Sequence, residues 1–245
     1  MTRQPYQILN ETRASRFLLT CDHATNIVPP EINGGDLGLP ADQMQRHIAY
    51  DIGAEGVTRH LSDLLCAPAI FSQFSRLVID PNRGEDDPTL IMKVYDGTII
   101  PANRHVNAAE AERRLNAYHR PYHEALENLA ARRDDTLIVA IHSFTPKLYS
   151  RAPRPWHIGI LHAWDERLSR PMLDRLYREA DIVTGENEPY AGYLPGDSID
   201  QHALQKNRPN ALIELRQDLI TDEPGQVQWA ERLARILTDC LADLD

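Results

Sequence analysis

The feature that most constrains this chain is an alternation. Short apolar, β-branched runs recur between longer stretches of helical period, the pattern of an α/β fold with a largely parallel sheet. Strands are expected at 16–22, 68–72, 76–80, 136–142, 157–162, 180–184 and 210–215. A helix is expected over 41–65, where Ile48, Ile52, Val57, Leu61 and Leu65 recur at roughly helical spacing. A second spans about 108–133, with Asn107 placed to cap its free amides, Glu110 three residues on, and Pro121 placed to kink or split it. Helices at 165–179 and 224–243 complete the set.

No linker, repeat or low-complexity segment divides the 245 residues, and a 42% hydrophobic composition suffices for one sizeable core, so residues 1–245 are expected to form a single domain. The stretches 84–105 and 187–209 are long and poorly periodic; such loops in compact domains are often functional. A formal charge of −10 argues against a nucleic-acid partner, which would call for basic clusters, and favours a small molecule. Three cysteines without Cys-x-x-Cys spacing suit a reducing compartment. With no basic-plus-apolar leader and no apolar run near 18 residues, the expectation is a cytoplasmic protein without a membrane partner, self-association being left open.

In sheets of this class ligands gather at the carboxyl ends of strands. Four expected strand ends carry chemistry: Asp22-His23, Asp80-Pro81-Asn82-Arg83, His142-Ser143-Phe144, and Glu214 with Arg216. Each has a bland alternative. A histidine after an apolar run can simply be packed, Pro and Asn suit an ordinary turn, and Glu214 can sit on the solvent face of a half-buried strand. If Glu214 is instead buried, an unpaired carboxylate is costly and something cationic should face it. Together the residues fit metal-assisted amide hydrolysis. Zinc takes imidazole and carboxylate ligands and keeps a position open for water; a carboxylate moves the proton; arginines stabilise the oxyanion and grip a substrate carboxylate.

The motifs VAIHSF (139–144), VIDPNR (78–83), GDSID (196–200) and IELR (213–216) resemble, in order and spacing, those of the zinc carboxypeptidase superfamily. A closer resemblance is to the N-formylglutamate amidohydrolase family. It runs through CDHATNIVP (21–29), HIAYDIG (47–53), SRLVIDPNR (75–83), YHRPYHEAL (118–126), NEPYAGY (187–193) and IELRQDL (213–219), over about residues 16 to 220. The resemblance implies a three-layer, mostly parallel mixed sheet flanked by helices, and one zinc ion per chain. By the same resemblance His23 and His142 would be zinc ligands, Asn82 and Arg83 would grip the substrate carboxylate, and Glu214 would be the general base. Where the superfamily carries a glutamate ligand three residues after the first histidine, this chain has Asn26, a poor zinc ligand beside a carboxylate. Asp51 of HIAYDIG is the preferred third ligand, with Asn26 and Asp22 as alternatives.

Further candidates are Arg76, placed to polarise the scissile carbonyl, and His202, Tyr190 and Tyr193, placed to touch substrate. Arg216 would offset Glu214 or reach substrate. His119 and His123, four apart on one helical face, have metal-compatible spacing but are read as structural or pocket-lining. The leading expectation is hydrolysis of an N-acyl amino acid such as N-formyl-L-glutamate, to formate and glutamate in histidine breakdown. The other readings are a metallo-deacylase or peptidase of broader scope, and a homologue that binds metal without catalysis.

Overall fold

A computed structural model of the chain describes residues 4–244. Seven strands form one sheet: β1 (Tyr6–Leu9), β2 (Phe17–Cys21), β3 (Ala69–Ser72), β6 (Leu137–Phe144), β7 (Ile158–Leu161), β8 (Thr184–Glu186) and β9 (Asn210–Arg216). A small separate hairpin supplies β4 (Val94–Tyr95) and β5 (Thr98–Ile99). The sheet order is β1-β3-β2-β6-β9-β7-β8. Strands β3, β2, β6 and β9 run parallel, whereas β1 joins β3 and β7 joins β9 in antiparallel fashion. This is the mostly parallel, mixed sheet that the resemblance implied.

The three layers follow from alternation along strands buried on both faces. Phe17, Leu19, Val139, Ile141, Ile213 and Leu215 point toward α1 (Ala54–Leu64), α4 (Ser169–Leu176) and α6 (Glu223–Leu244), and pack with Leu61, Leu173, Leu233 and Ile236. Their neighbours Leu18, Ile138, Ala140 and Leu212 face the other way. They pack with Tyr122, Leu126 and Leu129 of α3 (Arg120–Ala130) and Ile199 of α5 (Ser198–His202). A third apolar cluster lies beneath the long loops and joins Ile32, Ile48, Phe74, Leu77, Val78 and Ile79.

Several boundaries differ from expectation. The apolar run at 76–80 is no strand: Leu77, Val78 and Ile79 fill the loop cluster, and Val78 bonds back to the Ser75 carbonyl at 2.9 Å in a turn. An apolar run buried under loops is indistinguishable by periodicity from one buried in a sheet. The helix expected over 41–65 forms only from Ala54. Gly53, at φ 81°, halts it in a left-handed conformation, and a Cβ there would meet the Ile220 carbonyl at 2.1 Å. The strand expected at 180–184 begins only at Thr184, and β1 carries no periodic signal strong enough to be read.

The helix expected over 108–133 starts where Asn107 Oδ1 accepts from the Glu110 amide at 3.0 Å. It comprises α2 (Ala108–Arg114), one wide π-type turn over Leu115–His119, and α3. The wide turn lets the chain run through Pro121, whose ring and missing N–H would otherwise break the hydrogen-bond ladder. Among the described residues no helix is long and apolar enough to cross a membrane.

Candidate metal and active site

The carboxyl ends of β2, β6 and β9 meet at one edge of the sheet. His142 and Glu214 lie inside β6 and β9 rather than beyond them, in direct register on neighbouring parallel strands. His23 follows β2 by two residues. Asp51 arrives from the irregular segment ahead of α1, tied down by its amide bond to the His23 carbonyl at 2.9 Å. The Gly53 halt is what frees it: inside a continuous helix Asp51 would follow the helix face instead of turning to the sheet edge.

His23, Asp51 and His142 are all buried and present ligand atoms within 4.8 Å of one another, a cluster able to hold a metal ion. One carboxylate oxygen, Asp51 Oδ2, lies 3.3 Å from His23 Nδ1 and 2.8 Å from His142 Nδ1. Both imidazoles therefore turn the same nitrogen inward. Their outer nitrogens meet further carboxylates, His23 Nε2 at 2.7 Å from Asp80 Oδ1 and His142 Nε2 at 3.4 Å from Asp22 Oδ2. Behind His23 the Asp80 carboxylate holds the proton on Nε2 and leaves the Nδ1 lone pair for a cation, as a ligating histidine requires, while Asp22 stands behind His142 at ion-pair distance. Asp22 is in turn held by the Tyr122 hydroxyl, and Asp80 by Arg76 at 2.8 Å.

The charges agree with that reading. Burial works against ionising Asp51 and Asp80, but His23 and His142 outweigh it at Asp51, and Arg76 with His23 outweighs it at Asp80, so both carboxyls lie below their ordinary range. Burial likewise opposes charge on His142, yet its bonds to Asp22 and Asp51 raise its basicity. Glu214 behaves differently. Burial pushes its carboxyl up to about 7, with His142 opposing and Asp51 adding to the rise, and its Oε2 has no hydrogen-bond partner. The cation expected opposite it is not supplied by Arg216, which turns away to Asp218 at 2.8 Å.

His23, Asp51, His142 and Glu214 line a cavity of about 220 Å³, together with Arg76, Asn82, Arg83, Tyr190 and Tyr193. Asn82 Oδ1 accepts from the Ser198 amide at 3.2 Å, and Arg83 donates to Thr89 at 3.1 Å and to the Asn82 carbonyl at 2.7 Å. The Tyr190 hydroxyl accepts from Arg154 at 3.2 Å. Gly84 and Gly196 meet backbone to backbone; a Cβ on Gly196 would lie 2.8 Å from the Gly84 Cα, so the 187–209 loop can close on the Asn82-Arg83 turn only with glycine at this crossing.

His202 and Arg216 do not line the cavity. His202 is packed between Glu127 Oε2, at 2.9 Å from Nδ1, and His123 Nδ1, at 2.8 Å from Nε2. Asn26 is also removed from ligation, since its side chain donates to the Met44 carbonyl at 2.8 Å. The sequence reading overlooked His47, Tyr95 and Asp197, which also line the cavity. Asp80 stands within the VIDPNR motif but is also the partner of His23. No local pattern marks that pairing, because it depends on where two loops meet.

The model of the N-formylglutamate amidohydrolase family matches residues 15–221. This chain belongs to that family. Membership makes it a hydrolase acting on amides, and the matched segment contains every residue of the cluster and Glu214. Among solved structures it is similar to gene product Atu2144 of Agrobacterium tumefaciens, at 33% identity and a TM-score of 0.92 over 99% of this chain and 96% of that one. It is also similar to N-formylglutamate amidohydrolase from Ralstonia eutropha JMP134, at 21% identity and a TM-score of 0.75, with 98% of each chain covered. A more distant likeness of fold is to a bacteriophage poly-gamma-glutamate hydrolase, with a TM-score of 0.51 at 9% identity over 99% of this chain and 91% of that one. No curated protein matches the chain in sequence.

Proposed function

We propose that this family member is a zinc-dependent amidohydrolase, one catalytic domain acting in the cytoplasm, that cleaves the formyl amide of an N-formyl amino acid such as N-formyl-L-glutamate. The products would be formate and the free amino acid, the chemistry of a step in histidine breakdown. The observation that carries this reading is the convergence of His23 Nδ1, His142 Nδ1 and Asp51 Oδ2 beside a buried carboxylate, Glu214, that has an unpartnered oxygen.

The donor set fits the metal: two imidazoles and one carboxylate, with Asp80 and Asp22 behind the rings, are what a hydrolytic zinc site uses. Zinc held by His23, Asp51 and His142 would supply Lewis acidity and a more acidic water. Glu214, raised to about 7 by burial, accepts a proton from the attacking water and returns it to the leaving nitrogen. Arg76 bonds Asp80 and stands 3.5 Å from Asp51, with its guanidinium at the cavity wall, where it stabilises negative charge growing on the carbonyl oxygen. Asn82 and Arg83 bind the substrate carboxylate, and Tyr190 contacts the substrate from the 187–209 loop.

A broader deacylase draws support from one feature. Tyr193 at the cavity wall packs at 5.2 Å on Trp164, which is 66% exposed, giving the mouth an aromatic rim suited to a larger acyl group. The test is metal analysis of purified protein together with formate and amine release from a panel of N-formyl and N-acetyl amino acids. About one zinc per chain and chelator-sensitive formate release support the proposal. A metal-free protein that hydrolyses no N-acyl amino acid would sink it.

A further inference from the structure

The histidines of YHRPYHEAL stand outside the metal cluster, and the chemistry above makes no use of them. His119 ends the π-type turn and His123 lies one turn on in α3, so the two share a face, with ring centroids 4.3 Å apart. His119 Nε2 lies 2.9 Å from the Arg83 carbonyl oxygen, and His123 Nε2 lies 2.9 Å from the Pro81 carbonyl oxygen. Two rings a helical turn apart thus meet two carbonyls that flank Asn82.

A carbonyl oxygen only accepts, so both contacts require the proton to be on Nε2. Burial favours the neutral ring in each case, depressing His119 and taking His123 down to about 3. The other nitrogens agree with that tautomer. His119 Nδ1 is buried without a partner, as a bare lone pair can be, and His123 Nδ1 lies 2.8 Å from His202 Nε2. Donation from His202 Nε2 there, with Nδ1 donating to Glu127 Oε2 at 2.9 Å, makes His202 an imidazolium whose charge Glu127 balances against the opposing effect of burial. His202 is backed by Glu127, which Arg208 grips at 3.0 Å through each of its oxygens.

We infer that His119 and His123 are positioning residues: as neutral Nε2–H imidazoles they clamp the Arg83 and Pro81 carbonyls and so fix the Asn82-Arg83 turn that binds the substrate carboxylate. The spacing explains why two histidines stand four apart here without forming a metal site. His202 acts one step further back, by holding the His123 ring. Other restraints on the turn are the Asn82 amide bond to Asp80 Oδ1 at 2.9 Å and the Ser198 hydroxyl near the Pro81 carbonyl at 3.4 Å. Without the clamp, the guanidinium of Arg83 would lose its fixed placement although every atom that touches substrate remained.

The kinetic consequence rests on the proposed carboxylate grip, so the experiment includes two arms without turnover. Nitrogen-15 NMR of the histidine-labelled wild-type protein at pH 7 should show His119 and His123 neutral, with the proton on Nε2. Protonation on Nδ1, or an imidazolium at either ring, overturns the clamp. Hydrogen exchange at the Asn82 amide should accelerate at least tenfold in His123→Phe and return toward wild type in His123→Gln, whose amide keeps a donor near the same place. With N-formyl-L-glutamate, His123→Phe should raise KM about tenfold with kcat within threefold, and His123→Gln should restore KM. Exchange and KM that stay unchanged in His123→Phe also overturn the clamp. A wild-type protein without turnover refutes the proposed function instead, while the spectra and exchange still decide the clamp.

Discussion

His142 and Glu214 sit side by side on parallel strands β6 and β9, one raised in basicity by two carboxylates and the other raised by burial with a free oxygen. One residue is equipped to hold a cation and the other to move a proton, and a single step across the sheet separates them.

Glu214→Gln should therefore separate chemistry from metal binding. The amide keeps the shape but accepts no proton, so kcat should fall by about 10²- to 10⁴-fold. Metal content should stay at the wild-type level, measured by elemental analysis of the same samples. Near-full activity in the variant would remove Glu214 from the mechanism.

The same substitution should stabilise the metal-free protein in alkali. Glu214 has a folded pKa near 7 against an ordinary 4.5, so its buried carboxyl costs nothing below pH 4.5 and folding stability is lost as pH rises through 7. That difference corresponds to on the order of 3 kcal/mol. In metal-free samples above pH 7, Glu214→Gln should melt several degrees higher than wild type, and the gap should close toward pH 4.5. Equal melting temperatures at pH 8 would contradict the burial cost.

Activity should depend on pH in the opposite sense. The base must be ionised to accept a proton, so kcat/KM should rise with pH and reach half its plateau no higher than about 7. A bound dication near the carboxylate moves that limb downward, never upward. A half-point well above 7 would point to a different base.

Metal affinity should rank the carboxylates by role. Asp51→Asn removes an inward-facing donor and should abolish stoichiometric binding, whereas Asp80→Asn leaves all three donors and should weaken binding about 10- to 100-fold. Competition with a chelator of known affinity gives the order. An Asp80→Asn protein that binds less metal than Asp51→Asn would reverse the assignment.

Arg83→Ala tests the substrate end of the cavity. Loss of a charged donor to a carboxylate is worth about 1.5–3 kcal/mol, which would raise KM roughly 10- to 100-fold with kcat little changed. An unchanged KM would place the substrate carboxylate elsewhere.

The sequence alone determined the sheet class, because apolar runs buried on both faces and the helical stretches between them admit few other arrangements. It also supplied His23, Asp51 and His142 as candidates, through motifs whose local spelling resembles a family. It did not reveal that 76–80 is a buried loop, since an apolar run carries no mark of whether sheet or side chains cover it. Nor did it show that Asp80 backs His23, that His202 supports His123 rather than lining the cavity, or that Arg216 pairs with Asp218. Those assignments were decided by tertiary structure. Hydrogen bonds and ligand geometry depend on distances of a few ångströms between residues far apart in the chain, such as His23 and His142, and one halted helix at Gly53 is enough to place Asp51 in the site.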